Sequence, residues 1–186
     1  MTLKQATVKK SAKFRGVGLH SGKLVQIEVL PAPEEHGIVF ERIDLSPSVK
    51  IKALSSFVVS TNLSTTLGKG SIKVSTVEHI MAAFFALGVD NALIKMDGEE
   101  VPILDGSSAL FVAGLKKAGL KTQGLLRKVF NIKDPINVKN RSSSMSFKPH
   151  KMPFLLISYK IDFLETINTV CFWIKVFNWD CVSMRR

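Results

Sequence analysis

Cysteine and tryptophan are almost missing from this chain. Its 186 residues contain two of each, and all four lie beyond residue 165, as Cys171, Trp173, Trp179 and Cys181. Two cysteines in a chain of this size make no disulfide framework, which excludes a small stapled scaffold. Long apolar runs are missing too: the longest, Ile80 to Leu87, is well short of the ~20 residues that span a bilayer. Met1 to Phe14 carries lysines but no apolar stretch of the kind a secretory signal needs. Acids are the scarce charge, with 15 Asp and Glu against 26 Lys and Arg and a net charge of +11. Such an excess suits nucleic acid, a membrane face or a phosphorylated substrate. The cations are scattered, however, as in Lys9, Lys10, Lys23, Lys50, Lys52, Lys116 and Lys117. The one dense stretch, Lys139 to Lys151, comes with no nucleic-acid motif and no aromatic stacking platform. The charge therefore reads as the solvated side of strands and helices. The expectation is a cytoplasmic protein with no nucleic-acid partner and no transmembrane segment.

What is present is a sizeable apolar fraction, 46% of residues, enough for one domain with a proper core or one domain and part of another. The most informative stretch is Ser75-Thr76-Val77-Glu78-His79-Ile80. Ser75 and Glu78 have the spacing of a capping box. Val77, Ile80, Met81, Phe84 and Phe85 recur at helical spacing, and Gly88 supplies a stop. A helix opened by Ser75 thus carries Glu78 and His79 in its first turn. A neutral imidazole can ligate zinc, and a neighbouring carboxylate can take a proton from a zinc-bound water. The same residues also read as a cap and a surface histidine, since the pair lacks the second ligand of a His-Glu-x-x-His motif.

Around this helix the chain reads mainly as strands. Thr7–Phe14 and Leu24–Leu30 flank the glycine-rich segment Gly16 to Gly22. A phosphate-cradling loop needs a helix behind it, and the alternating Lys23 to Ile27 favours a β connection instead. His20 in this loop reads as structural, and His36 as exposed. Further extended segments are expected at Ile38–Ile43, Val49–Ala53, Phe57–Ser60, Ser71–Val74 and Asn91–Met96. Asp97 to Glu100 reads as a turn. Its adjacent carboxylates, Glu99 and Glu100, point apart on an extended chain and form no acid/base pair. A second helix carries Leu110, Phe111 and Leu115, with Asp105 or Ser107 as its cap and Gly119 after its end.

Three segments then carry a resemblance: Gly16-Val17-Gly18-Leu19-His20-Ser21-Gly22, Ser75-Thr76-Val77-Glu78-His79 and Pro102-Ile103-Leu104-Asp105-Gly106-Ser107. In order and spacing they resemble the N-terminal half of the UDP-3-O-acyl-N-acetylglucosamine deacetylase family, from about Lys4 to Glu165 and less closely after Leu126. The resemblance implies zinc-dependent hydrolysis of the N-acetyl group of UDP-3-O-(3-hydroxyacyl)-N-acetylglucosamine, the committed step of lipid A biosynthesis in Gram-negative bacteria. It implies Glu78 as general base, His79 as a zinc ligand, and Leu63 and Ser64 as substrate contacts. It also implies an α+β fold, a layered domain of mostly antiparallel sheet with two helices on one face, followed by the start of a second domain of the same kind.

The expected domains are 1–122, an opening second domain over 123–165 and a divergent tail over 166–186. Strands of the second are expected at Leu126–Ile132, Ile136–Lys139, Ser144–Lys148 and Phe154–Asp162. The tail lacks a clean period and is expected to be irregular, with a packed apolar strand pair as the alternative. The family's His-x-x-x-Asp pair and further histidine, both of the second domain, have no counterparts. The other histidines are His20, His36 and His150, and none is followed four residues on by Asp. The family's early second-domain lysine falls at Ser142-Ser143-Ser144. The chain is thus expected to be a truncated, monomeric deacetylase of doubtful competence; the alternative is a degenerate, non-catalytic fragment or binding module.

Overall fold

The computed structural model describes residues 4–128, 133–140, 143–149, 155–161, 170–177 and 181–182. The chain forms two compact units, Thr2–Arg127 and Lys128–Arg186.

The first unit runs β1 (Lys4–Val8), β2 (Ala12–Val17), β3 (Leu24–Pro31), β4 (Ile38–Arg42), β5 (Val49–Lys52), β6 (Val58–Ser60), β7 (Thr66–Lys69), β8 (Ile72–Val74), α1 (Glu78–Leu87), β9 (Ala92–Met96), α2 (Ala109–Ala118) and β10 (Leu120–Leu126). Five strands make one sheet in the order β2-β3-β9-β4-β5, in which only β4 and β9 run parallel. Side chains alternate across a strand, so Phe14, Ile27 and Met96 come into one buried row, as do Ile94, Phe40 and Ile51. The outward positions of β2 are Lys13 and Arg15. Both helices pack against each other, and α2 lies on β2. There Phe14 and Phe111 meet with ring centroids 5.0 Å apart. Gly114 makes this approach possible, since a Cβ there would fall closer than 3.0 Å to the Phe14 ring. The unit is α+β, with a mostly antiparallel sheet and two helices, as the sequence led us to expect.

Several expectations need correction. The single strand over Thr7–Phe14 is two strands, broken at Lys9-Lys10-Ser11. The amides of Lys9 and Lys10 bond to Gly119 O and Ala118 O, which diverts the chain, and the three residues are exposed. Where a strand was expected at Leu126–Ile132, the strand is instead β10, which pairs with β1 through Ala6↔Thr122 and Val8↔Leu120. Residues 129–132 lie outside the described ones. On α1 the buried side chains are Ile80, Ala83 and Phe84. Phe85, expected on the same stripe, is 53% exposed.

In the second unit, β11 (Ile136–Asn140) pairs with β12 (Ser143–Phe147), and β13 (Leu155–Ile161) with β14 (Val170–Phe177). A short β15 (Cys181–Val182) joins β14. The expected irregular tail is therefore corrected over β14. Its eight residues run in continuous antiparallel register with β13 from Ile161↔Val170 to Leu155↔Val176. Backbone pairing of this kind is indifferent to the missing side-chain period that suggested irregularity. Among the described residues, no helix is long and apolar enough to cross a membrane.

Candidate active site

The hairpin β7–β8 turns at Gly70, where φ is +61°, and delivers the chain to Ser75. Ser75 does not cap α1. Its N–H and its hydroxyl both donate to Glu99 O, at 2.8 and 3.2 Å, and its carbonyl accepts from Val101 N. It thus pairs with the 99–101 segment like a strand residue. The helix begins at Glu78 after Val77, which makes no side-chain cap bond, so the expected capping box is absent. Thr76 makes the turn between these two geometries. Its φ is +57°, a left-handed conformation that is a true outlier for a β-branched residue.

Glu78, released from capping, reaches across to the neighbouring loop. Its Oε2 accepts the Thr65 N–H at 3.0 Å, and Val77 N donates to Thr65 O at 3.4 Å. These bonds hold the end of the 61–65 loop against the start of α1. A carboxylate in the first turn also lies where the helix dipole favours negative charge. His79 follows, half-buried like Glu78. Leu63 and Ser64 precede Thr65 directly. Leu63 is 84% exposed, with φ at +58°, and Ser64 is half-buried. The structure therefore brings the 63–65 backbone and the Glu78 carboxylate together at one end of α1.

The glycine-rich loop joins the same region through a residue that sequence reasoning assigned to a turn. Glu100 is 1% exposed. Its Oε1 accepts the His20 N–H at 3.0 Å and the Thr76 hydroxyl at 2.9 Å, and its Oε2 accepts the Ser21 N–H at 2.8 Å. Burial pushes this carboxyl up, but the bonds from the Ser21 side chain, the two amides and Thr76 outweigh it and hold the group below its ordinary value. The phosphate-like look of the loop thus has an internal explanation, because two of its N–H groups bind the chain's own carboxylate. Gly18 lets that carboxylate approach, since a Cβ there would fall closer than 3.0 Å to Glu100 Oε2. A Cβ at Gly16 would crowd Pro102 and Leu104 at 3.2 Å, and Ile103 N bonds Val17 O. The glycine-rich loop, with clustered backbone donors and no helix behind them, is a signal for an anion in general, but nothing in it designates Glu100.

Asp105 accepts from the N–H and hydroxyl of Ser107, and Ser107 Oγ accepts the Ala109 N–H at the start of α2. Ser107 therefore serves the helix end, and Asp105 serves Ser107. Leu104 has φ at +54°. Among the described residues four non-glycines have positive φ, and three of them, Leu63, Thr76 and Leu104, fall in the segments that converge here.

Among the described residues no group of three or more His, Cys, Asp or Glu could hold a metal ion. Tetrahedral zinc needs three protein ligands and a water, or four ligands. His79 with Glu78 does not make such a set.

A layered α+β unit that presents a carboxylate and an imidazole at the mouth of a helix is the class defined so far. The sequence model of the UDP-3-O-acyl N-acetylglycosamine deacetylase (LpxC) family matches residues 5–180, and the chain belongs to that family. Curated proteins named UDP-3-O-acyl-N-acetylglucosamine deacetylase are similar to it. That of Geobacter sp. (strain M21) is 46% identical over 86% of this chain and 50% of its own length. That of Ruthia magnifica subsp. Calyptogena magnifica is 47% identical over 87% and 52%. That of Legionella pneumophila (strain Corby) is 43% identical over 95% and 54%. The chain spans about half the length of these relatives. The family match also extends past Glu165, where the sequence alone had placed its end.

Proposed function

We propose that this chain supplies the first-domain share of a zinc-dependent deacetylase site acting on UDP-3-O-acyl-N-acetylglucosamine, in cytoplasmic lipid A biosynthesis. The observation that carries the reading is the clamp at the start of α1. Glu78 and His79 stand side by side, half-buried, with one Glu78 oxygen held by the Thr65 amide. Glu78 is the general base in this reading. The amide bond fixes its carboxylate and leaves further lone pairs to accept the proton of the water that attacks the acetamide carbonyl. His79 is one zinc ligand, and the other donors are not among the described residues. Leu63 and Ser64, on the loop clamped to Glu78, contact the acylated sugar. The domain division at about residue 122, a monomeric state and a lack of turnover by the 186-residue chain alone belong to the same reading.

The test joins this chain to the second half of one of the curated relatives. The fusion is expected to bind zinc and release acetate from the UDP-sugar. Glu78→Ala in the fusion should lower turnover by roughly 10²–10⁴ while zinc stays bound. His79→Ala should lose the zinc. Full turnover by the Glu78→Ala fusion would remove Glu78 as the base. Stoichiometric zinc and turnover in the 186-residue chain alone would show that its own residues complete the site.

A further inference from the structure

Glu100 is a buried carboxylate to which the reaction described above gives no task. It lies outside the Glu78–His79 pair, yet it is bonded at one side to the glycine-rich loop and at the other to Thr76, two residues before Glu78. Thr76 is 2% exposed and holds a left-handed backbone conformation that a β-branched residue rarely adopts. A residue keeps such a conformation only where its surroundings over-determine it. Here the surroundings are known. Ser75 is fixed by backbone bonds to Glu99 and Val101, Val77 by its bond to Thr65 O, and the Thr76 hydroxyl by Glu100 Oε1. Of these, only the Glu100 bond takes hold of the Thr76 side chain.

We propose that Glu100 is a positioning residue of this site: through the Thr76 hydroxyl it sets the left-handed turn that aims the first turn of α1, and through the His20 and Ser21 amides it fixes the glycine-rich loop beside that turn. The proposal rests on the reading of Glu78 and His79 as the reacting end of the chain, but its structural content does not depend on zinc or turnover. Two groups of donors converge on one carboxylate, so the loop and the helix start are set together. A neutral amide cannot replace it. In glutamine an NH₂ donor replaces one of the two carboxylate oxygens, and it would face either the Ser21 N–H or the His20 N–H and the Thr76 hydroxyl.

The test uses the 186-residue chain and reads the imidazole resonances of His79 by NMR, together with amide exchange at His20 and Ser21. In Glu100→Gln the His79 resonances should move and the two amides should exchange at least tenfold faster. Asp97→Asn is the control. Asp97 is three residues away, carries the same charge and accepts one backbone N–H, from Gln26 at 2.7 Å. It should leave the His79 resonances in place. A second pair of variants addresses the link to the helix without touching the carboxylate. Thr76→Val keeps the shape and removes the hydroxyl, and should shift His79 as Glu100→Gln does; Thr76→Ser keeps the donor and should restore the wild-type position. If Glu100→Gln does not fold, the Thr76 pair decides. Unmoved His79 resonances in Thr76→Val, equal shifts in Thr76→Val and Thr76→Ser, or an Asp97→Asn shift as large as that of Glu100→Gln would each overturn the proposal. These outcomes are independent of the fusion experiment. Failure of the fusion would sink the zinc-hydrolase reading and leave the positioning result standing as a statement about the helix start.

Discussion

Gly18 and Gly22 belong to one loop and are glycine for different reasons. At Gly22 φ is +64° and a Cβ would meet nothing within 4 Å, so an alanine pays only the left-handed backbone term, about 1 kcal/mol. At Gly18 a Cβ would displace the Glu100 carboxylate and the Ser21 hydroxyl, and hydrogen bonds to a charged group are worth about 1.5–3 kcal/mol each. Gly18→Ala should therefore lower stability by about 3 kcal/mol and Gly22→Ala by about 1, as measured by urea unfolding. Equal losses would mean that Glu100 can step aside at little cost. The same carboxylate gives a pH signature. Its folded pKa lies below the ordinary value of 4.5, so the unfolded chain takes up the proton first. The contribution of Glu100 is complete above 4.5 and is lost as the pH falls through the folded value. The stability gap between wild type and Glu100→Gln should be constant near neutrality and shrink below pH 4.5. A gap that widened in acid would reverse the sign of the shift.

At the scale of the element, α1 shows what a period can and cannot disclose. The spacing of Ile80 and Phe84 and the stop at Gly88 were legible, and Gly88 has φ at +67° with its N–H bonded to the last turn. The helix's contacts were not. Phe84 is buried among the core residues and Phe85 is half-exposed, though both are phenylalanines on a wide apolar arc. Phe84→Ala should cost about 3–5 kcal/mol and Phe85→Ala about 1 or less, in paired thermal melts. The start of the helix was misread for a related reason. Ser75 and Glu78 have capping-box spacing, but a local motif competes with tertiary partners. The Glu99 carbonyl took the Ser75 hydroxyl and the Thr65 amide took the Glu78 carboxylate, so both side chains were drawn away from the cap. Glu100 was illegible for the complementary reason. Its partners are His20, Ser21 and Thr76, and nothing local in Asp97 to Glu100 signals a bond to a loop some 80 residues away. The strand β3, by contrast, was readable from the alternation of Leu24 to Leu30, because its period maps directly onto one buried face, while β4, buried at Val39 to Arg42 on both faces, offered composition rather than period.

At the scale of the whole molecule, the described core belongs to the first unit. Every residue of the described hydrophobic cluster lies between Val8 and Ala118. The unit that contains it closes on itself, because β10 returns to pair with β1 along the strand that opens the chain. Gln5, Asn91 and Gln123 add a buried polar link between those ends. Asn91 Nδ2 donates to Gln5 Oε1 and to Gln123 Oε1, both at 2.8 Å, so each carbonyl oxygen has its donor. In the second unit the pairing is of another kind. β11 and β12 form a two-stranded ladder on which Ile136, Val138, Met145 and Phe147 are all exposed. An isolated two-stranded ladder is marginal in water. A fragment of residues 2–127 should therefore unfold in one cooperative transition, with a midpoint close to that of the main transition of the full chain. In hydrogen exchange on the full chain, the amides of Ile27 and Ile94 should be protected to near the global unfolding free energy, while those of Val138 and Met145 should exchange through local opening, orders of magnitude faster. If the 2–127 fragment proved unfolded, or if Val138 and Met145 exchanged as slowly as Ile27, the stability of the chain would not reside in the described buried cluster. The helix start that carries Glu78 and His79 would then depend on residues beyond 127, and the fusion experiment would have to be read as a test of folding before it could be read as a test of chemistry.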